Sequence, residues 1–365
     1  MNKYQVLIVG AGTSGLMLAR ELGKAKIKTL LLERKSDPLS LSFKTLGSFI
    51  NLKSFDLSEN VIAQPISQVT FYSKHFKRIL TGEGLILDKY LLHKELLESI
   101  DTNYVEIKSG INIKECSLKN DGQILSVIDK DDKHYYSDYF VDASGINGVF
   151  SKKFNLLPKN PDLATGVEYN VKYLGNPNEA HLFIGKSFEG GYAWIFPLKN
   201  NRAIFGFGTF GSKNLKNLNQ QMDSLFSIPK IKKLVEKDNN IKEGGSIPIT
   251  PVLTNFVHKN ILCVGDSVSQ VNPVVGEGYK FIFEAAYMAK TALCDAIESD
   301  NIELLKEYEL NWRKRFSKTY ASAKNTQQRV FKYSQKDLLV DFAVLMLKFK
   351  KDEKVLKVLS GEYSN

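Results

Sequence analysis

Three groups of residues in this chain have types and spacings that could do chemistry. Gly10, Gly12 and Gly15 stand in GAGTSG, between the apolar run YQVLIV and a helical pattern over residues 16–25. The first glycine of such a turn permits the reversal, the second lets main chain approach a pyrophosphate, and the third lets helix and strand pack closely. The phosphates would lie at the helix N-terminus beside Ser14, where unpaired N–H groups favour negative charge. A second strand, KTLLLER, ends at Glu33 and Arg34, the acid standing 23 residues after Gly10. Glu33 is placed to accept hydrogen bonds from an adenosine ribose, and it would repel a 2′-phosphate, which favours FAD or NAD over NADP.

The second group lies far along the chain, in ILCVGDSVSQVNPVVGEGYKFIF. A buried strand over 261–264 runs into Gly265 and Asp266, and Pro273, Gly276 and Gly278 precede a helix. The third is GGYAWIFPL. Tyr192, Trp194 and Phe196 alternate at strand period, so their rings project from one face of a sheet, where they either fill a core or wall a cavity for something oily.

The elements that must position these groups fit a chain of 365 residues, long enough for two domains or for one large core with a smaller lobe. Cys116, Cys263 and Cys294 have no CxxC spacing, which argues against a disulfide framework and against a zinc or iron–sulfur site, so no metal is expected. A reducing, cytoplasmic setting is the expectation. The opening MNKYQVLIVGAG has no signal-peptide pattern, and no apolar run reaches membrane-spanning length. The net charge of +10 comes from lysines scattered along the whole chain, which reads as a solvated surface, and no nucleic-acid-binding motif occurs.

The strand–GD–NP–GEG–helix order resembles the ribityl-binding segment of the p-hydroxybenzoate-hydroxylase-like flavoproteins. That resemblance implies FAD, with Asp266 on the ribityl hydroxyls and Pro273, Gly276 and Gly278 shaping the loop beside the isoalloxazine. It also implies that Lys89, in LDKYLLHKELL, stands where relatives often have an arginine contacting the pyrophosphate. Ile113 matches a residue whose backbone touches the adenine, and Lys44 and Gly47, in SFKTLGS, match a loop near the flavin and pyrophosphate. One departure is Ser144-Gly145, where the superfamily usually has Asp-Gly.

YAWIFP in turn resembles the YxWxFP signature of the geranylgeranyl reductase family. The implied activity is an FAD-dependent oxidoreductase that saturates isolated C=C bonds of prenyl chains by hydride transfer from reduced flavin, with Tyr192, Trp194 and Phe196 against the substrate and Tyr192 relaying a proton. The implied partners are a prenyl lipid or prenyl diphosphate and an electron donor, either NAD(P)H, ferredoxin or another reductant. Two departures stand out: the chain continues FPL rather than FPK, with Lys199 one place later, and Leu46 stands where many relatives carry a cysteine. A flavin-dependent monooxygenase or halogenase is the alternative, although the halogenases' early catalytic lysine has no counterpart in a matching context. Lycopene-type cyclases share the fold without net redox.

The expected architecture is α/β. A Rossmann-type FAD-binding domain is assembled from residues 1–65, 85–160 and 255–300, and an antiparallel-sheet substrate domain from 66–84 and 161–254. A C-terminal helical region covers 301–365. Within it, KDLLVDFAVLMLKFKKDEKVLKVL reads as an amphipathic helix that either lies on an anionic bilayer, making the protein peripheral to a membrane, or packs on the catalytic body.

Overall fold

The computed structural model describes residues 3–41, 44–158, 160–188, 190–210, 217–238, 242–250 and 255–362. The chain is α/β. Val6–Val9 is the middle of a six-stranded sheet, paired in parallel with Thr29–Leu32 on one side and Tyr139–Asp142 on the other. Val105–Lys108 and Ile261–Cys263 extend it in parallel, and the short antiparallel Val257–His258 closes one edge. Val6–Val9, Thr29–Leu32 and Ile261–Cys263 are almost wholly apolar because they are buried throughout, as in parallel sheets covered on both faces. The helix Thr13–Lys24 packs on the later helix Tyr279–Glu298, and a three-stranded meander, Ile113–Leu118, Ile124–Asp129 and His134–Tyr136, joins the same core.

The second sheet has nine strands and is mainly antiparallel, the exception being Glu179–Phe183, which pairs in parallel with Ile62–Tyr72. It takes in more chain than 66–84 and 161–254. Thr45–Ser48 forms its edge, and the ribbon Ile62–Tyr72 with Lys77–Asp88 runs past both expected bounds. A ribbon this long carries the sheet back against the parallel sheet, so the two share a seam rather than a linker.

The aromatic strand Tyr192–Leu198 has two faces. Ala193 and Ile195 are buried with Val167, Phe205 and Phe207 in the sheet's own core, under the helix Leu218–Leu225. Tyr192, Trp194 and Phe196 stand half-buried on the opposite face. That second face is covered in part by the end of the chain: Val355 and Leu359 pack against Ile66, Val69, Leu80 and Ile86.

The long helix Lys306–Tyr333 docks Trp312, Phe316 and Tyr320 around Phe281. The single amphipathic helix expected after it is two helices, Asp337–Leu347 and Asp352–Leu359. Among the described residues no helix is long and apolar enough to cross a membrane.

Candidate active site

The C-terminal ends of the parallel strands open onto a cleft of about 710 Å³. Gly10 to Ser14, Glu33 to Lys35, Ala143 to Gly145 and Asp266 all line it. Gly10 has φ 108°, and a Cβ there would lie 2.4 Å from the Ala143 carbonyl oxygen; a Cβ on Gly15 would lie 1.9 Å from the oxygen of Gly10. These two glycines therefore make the turn itself. Gly12 differs, because a Cβ on it would meet nothing within 4 Å. Its main chain is bare at the start of the helix, where no side chain caps the free N–H groups. The buried Glu33 carboxylate accepts from the main-chain N–H of Ala11 at 2.7 Å and of Lys35 at 2.9 Å, so the strand end and the glycine turn are tied together.

Arg34, Ile113, Ser14 and Lys89 line this cleft as well. Lys89 is half-buried and its ammonium has no hydrogen-bond partner among the described residues; burial lowers its pKa, while Asp266 opposes the shift. The Asp266 carboxylate is likewise unbonded among the described residues, with its pKa raised by burial and lowered again in part by Lys89. His93, also on the wall, shares a 2.9 Å hydrogen bond with Thr13, and its Nδ1 has no partner. Burial and the nearby Lys89 and Lys35 push its pKa down to about 3, so this ring is neutral.

Two expected residues lie elsewhere. Lys44 lines neither this cleft nor its neighbour; its ammonium is 3.5 Å from Glu243, and its N–H donates to the same carboxylate at 3.0 Å. Pro273 also lies off both walls, its carbonyl accepting from Gln327 at 2.7 Å.

A second cavity, of about 230 Å³, opens from the first, sharing Thr13, Lys89, Asp266 and Ile247 with it. Gly47, Tyr192, Trp194, Phe196, Gly276 and Gly278 line it. Strand register explains the room. Glu168, Gly206 and Trp194 lie in one row across three strands, and Gly166, Gly208 and Tyr192 in the next. The three glycines leave a floor without side chains, and the Trp194 indole lies on it, so that a Cβ on Gly206 would stand 2.1 Å from the ring. The half-burial of the aromatic row is thus exposure to a cavity.

Two acids face this space. Glu168 is only 4% exposed, its Oε1 has no partner, and the Trp194 indole lies near enough to its carboxyl to favour the charged form. Burial and the facing Glu243 push its pKa up to about 8. Glu277 accepts from the Ser48 hydroxyl at 2.9 Å, leaves Oε2 unpaired, and is pushed by burial to about 7. Desolvation penalises the carboxylate form, so both groups keep a proton where an exposed glutamate would not. The Tyr192 hydroxyl donates to the Val275 carbonyl at 2.5 Å, and burial raises its pKa.

A smaller cavity of about 70 Å³ continues past Gly47, Phe196 and Val275 to Leu359. Among the described residues no cluster of side chains could hold a metal ion. A cleft with a bare helix N-terminus, next to a largely apolar pocket with buried acids on its wall, can bind a dinucleotide and deliver hydrogen to an apolar substrate. Sequence reading missed Glu168, Glu277 and His93. The available signal for Glu168 was a lone acid in the apolar strand LATGVEYNVKY, on the same face as Gly166.

A family model described as FAD binding domain matches residues 3–73, and one described as tryptophan halogenase matches residues 81–323. Digeranylgeranylglycerophospholipid reductase 2 of Methanopyrus kandleri is 26% identical over 379 residues, covering 98% of this chain and 95% of that protein. The geranylgeranyl bacteriochlorophyll reductase-like protein of Thermoplasma acidophilum superposes with a TM-score of 0.85 at 20% identity, over 100% of this chain and 97% of its own. The chain belongs to the geranylgeranyl reductase family.

This geranylgeranyl reductase family member sits within the p-hydroxybenzoate-hydroxylase-like flavoproteins, and over residues 81–323 it also matches the tryptophan halogenase family model. It is an FAD-dependent oxidoreductase, with FAD as its cofactor. The cleft fits that cofactor on three of its own features: bare main chain at Gly12, an unpaired ammonium at Lys89 and an unbonded carboxylate at Asp266. A probable FAD-dependent monooxygenase of Pseudomonas aeruginosa shares the fold, with a TM-score of 0.69 at 18% identity over 90% of this chain and 97% of its own.

Proposed function

We propose that this enzyme saturates isolated C=C bonds in the prenyl chains of lipids. The observation that carries the reading is the apolar cavity of about 230 Å³ that opens off the FAD cleft and has the row Tyr192, Trp194 and Phe196 as one wall. The relatives named as digeranylgeranylglycerophospholipid reductases support the substrate class. In this reading the Gly10–Gly15 turn and Lys89 take the pyrophosphate, Glu33 the ribose, Arg34 and Ile113 flank the adenosine, and Asp266 takes the ribityl chain. Gly276 and Gly278 would shape the loop beside the isoalloxazine. Reduced FAD supplies a hydride.

The chain's own residues do the rest. An isolated alkene has no electron-withdrawing group to polarise it, so placement and exclusion of water must supply much of the rate. The aromatic row positions the chain and keeps the pocket dry, while the cavity past Phe196 toward Leu359 gives an apolar tail somewhere to go. The reductant that reloads the flavin is an external donor such as NAD(P)H or ferredoxin. The test is anaerobic: the dithionite-reduced enzyme, offered geranylgeranyl lipid and geranylgeranyl diphosphate separately, adds two hydrogens per alkene by mass spectrometry. Chlorinated or hydroxylated products formed in air would replace this reading with the halogenase or monooxygenase one.

The lipid end of the reading is supported by the helix Asp337–Leu347. Leu338 is 80% exposed, Phe342 60% and, just beyond the helix, Phe349 79%. The acids of this segment turn away: Asp337 pairs with Lys74 at 3.2 Å, and Asp341 accepts from Ser73 and His75, each at 2.6 Å. The outward face therefore carries apolar side chains with Lys336, Lys348, Lys350 and Lys351 exposed around them, complementary to an anionic bilayer. Co-sedimentation with vesicles containing anionic phospholipid is expected to fall several-fold in the double variant Leu338→Asp, Phe342→Asp, with turnover of a soluble prenyl alkene unchanged. Unaltered sedimentation overturns the membrane assignment, and concentration-dependent dimers that the variant abolishes would make this face a contact between copies.

A further inference from the structure

We infer that Glu168 is the general acid of the reaction, giving its carboxylic proton to the alkene carbon that does not take the hydride. The inference rests on the prenyl-reductase reading above. Saturation breaks one π bond and forms two C–H bonds. Reduced FAD contributes a hydride to one carbon, and the π electron pair takes a proton at the other. FAD ends oxidised and the acid ends as a carboxylate, which regains its proton from solvent.

The geometry selects Glu168 among the groups at hand. It shares its row with Gly206 and Trp194, so its side chain stands on the face that forms the cavity. Its Oε1 is buried without a partner, and the Trp194 indole lies beside the carboxyl. Among the competing groups, the Tyr279 hydroxyl also lines the cavity unpaired, but burial raises its pKa and makes it a much weaker acid than a carboxyl group. The Tyr192 hydroxyl is given to the Val275 carbonyl. His93 lines the FAD cleft and not the apolar cavity. Glu277 is tied to the Ser48 hydroxyl through Oε1, which leaves only Oε2 free.

Three charged or polar groups face Glu168 from the neighbouring elements. Glu243, directly across the strand pair, raises its pKa; Lys89 and the Trp194 indole lower it. Glu243 is itself held by Lys44. The balance leaves Glu168 protonated at neutral pH, the state a proton donor requires.

The experiment compares wild type with Glu168→Gln, both loaded with FAD and matched by visible spectrum. In anaerobic single turnover the variant is expected to be slower by about 10²-fold or more, the usual worth of a positioned acid. The wild-type rate falls as pH rises through about 8, and the variant loses that limb. Infrared spectroscopy gives a readout independent of turnover, a component of the protonated-carboxyl C=O absorption at neutral pH that the wild-type minus Glu168→Gln difference spectrum isolates from that of Glu277. Equal rates with a working wild type overturn this inference alone, as does the absence of that component. A wild type that reduces no prenyl alkene overturns the reductase reading and this inference with it. If the variant does not retain FAD, the wild-type profile decides, and a flat rate between about pH 6 and 9 is then the overturning result.

Discussion

Gly15→Ala yields a colourless protein. The added Cβ would lie 1.9 Å from the Gly10 carbonyl oxygen, and Gly10 cannot yield, because its own Cβ position is 2.4 Å from the oxygen of Ala143. Backbone meets backbone at both points, so no side chain can rotate to make room. The helix would have to lift off the sheet, taking with it Leu16, Met17 and Leu18, all fully buried. Overpacking of a core commonly costs about 1–3 kcal/mol, and a rigid main-chain clash belongs at or beyond the upper end. The stabilisation that bound FAD gives the fold is lost as well. Flavin absorbance of the purified protein should drop below about a tenth of wild type, and added FAD should no longer raise the melting temperature. Gly12→Ala is the matching control: its Cβ meets no protein atom, so it should fold normally and lose only FAD affinity. A Gly15→Ala protein as yellow as wild type would refute this account of the turn.

Trp194→Phe moves the alkaline limb of turnover to higher pH. The indole N–H beside Glu168 favours the carboxylate and so lowers its pKa, against burial and Glu243, which raise it. Removing that N–H leaves the raising causes with only Lys89 in opposition. A hydrogen bond to a charged group is worth about 1.5–3 kcal/mol and one pKa unit about 1.4 kcal/mol, so the limb should shift upward by about one unit or more. Wild type should lose rate through about pH 8, with the variant still active there. Trp194→Ala goes further. It empties the space over Gly206 as well as removing the donor, and reduction should spread to alkenes that wild type leaves alone. A pH profile for Trp194→Phe that superposes on wild type would show that the indole does not tune the acid.

The legible parts of this molecule were those whose chemistry is local. Gly10, Gly12 and Gly15 could be read because turn geometry and ligand approach restrict residue type over six positions. The alternation of Tyr192, Trp194 and Phe196 fixed one face, although only the opposing Gly206 and Gly208 decide that this face is a cavity. Glu168 was not legible. Its protonation depends on Glu243 and Trp194, which reach it through strand pairing, and on burial, which the tertiary fold sets. Lys44 and Gly47 match one loop near the flavin and pyrophosphate, but in the fold Gly47 lines the apolar cavity while Lys44 pairs with Glu243. The break between Leu347 and Asp352 falls in KFKK, with no glycine or proline to announce it. The sheet boundaries were misjudged because Thr45–Ser48 pairs with the far end of a ribbon forty residues later.

The order of strands in the parallel sheet has a consequence for how the enzyme acquires its flavin. Val6–Val9 pairs with Tyr139–Asp142, which in turn pairs with Ile261–Cys263. The glycine turn at Gly10–Gly15 and the Asp266 wall of the same cleft are therefore brought together by the sheet although about 250 residues separate them in the chain. The helix ending at Leu359, which roofs the apolar face, lies later still in the chain. Pairings of such long range are slow to form. The flavin cleft is complete only once these distant pairings have closed, and FAD supplied during refolding is expected to raise holoenzyme yield by limiting aggregation through the unroofed apolar face.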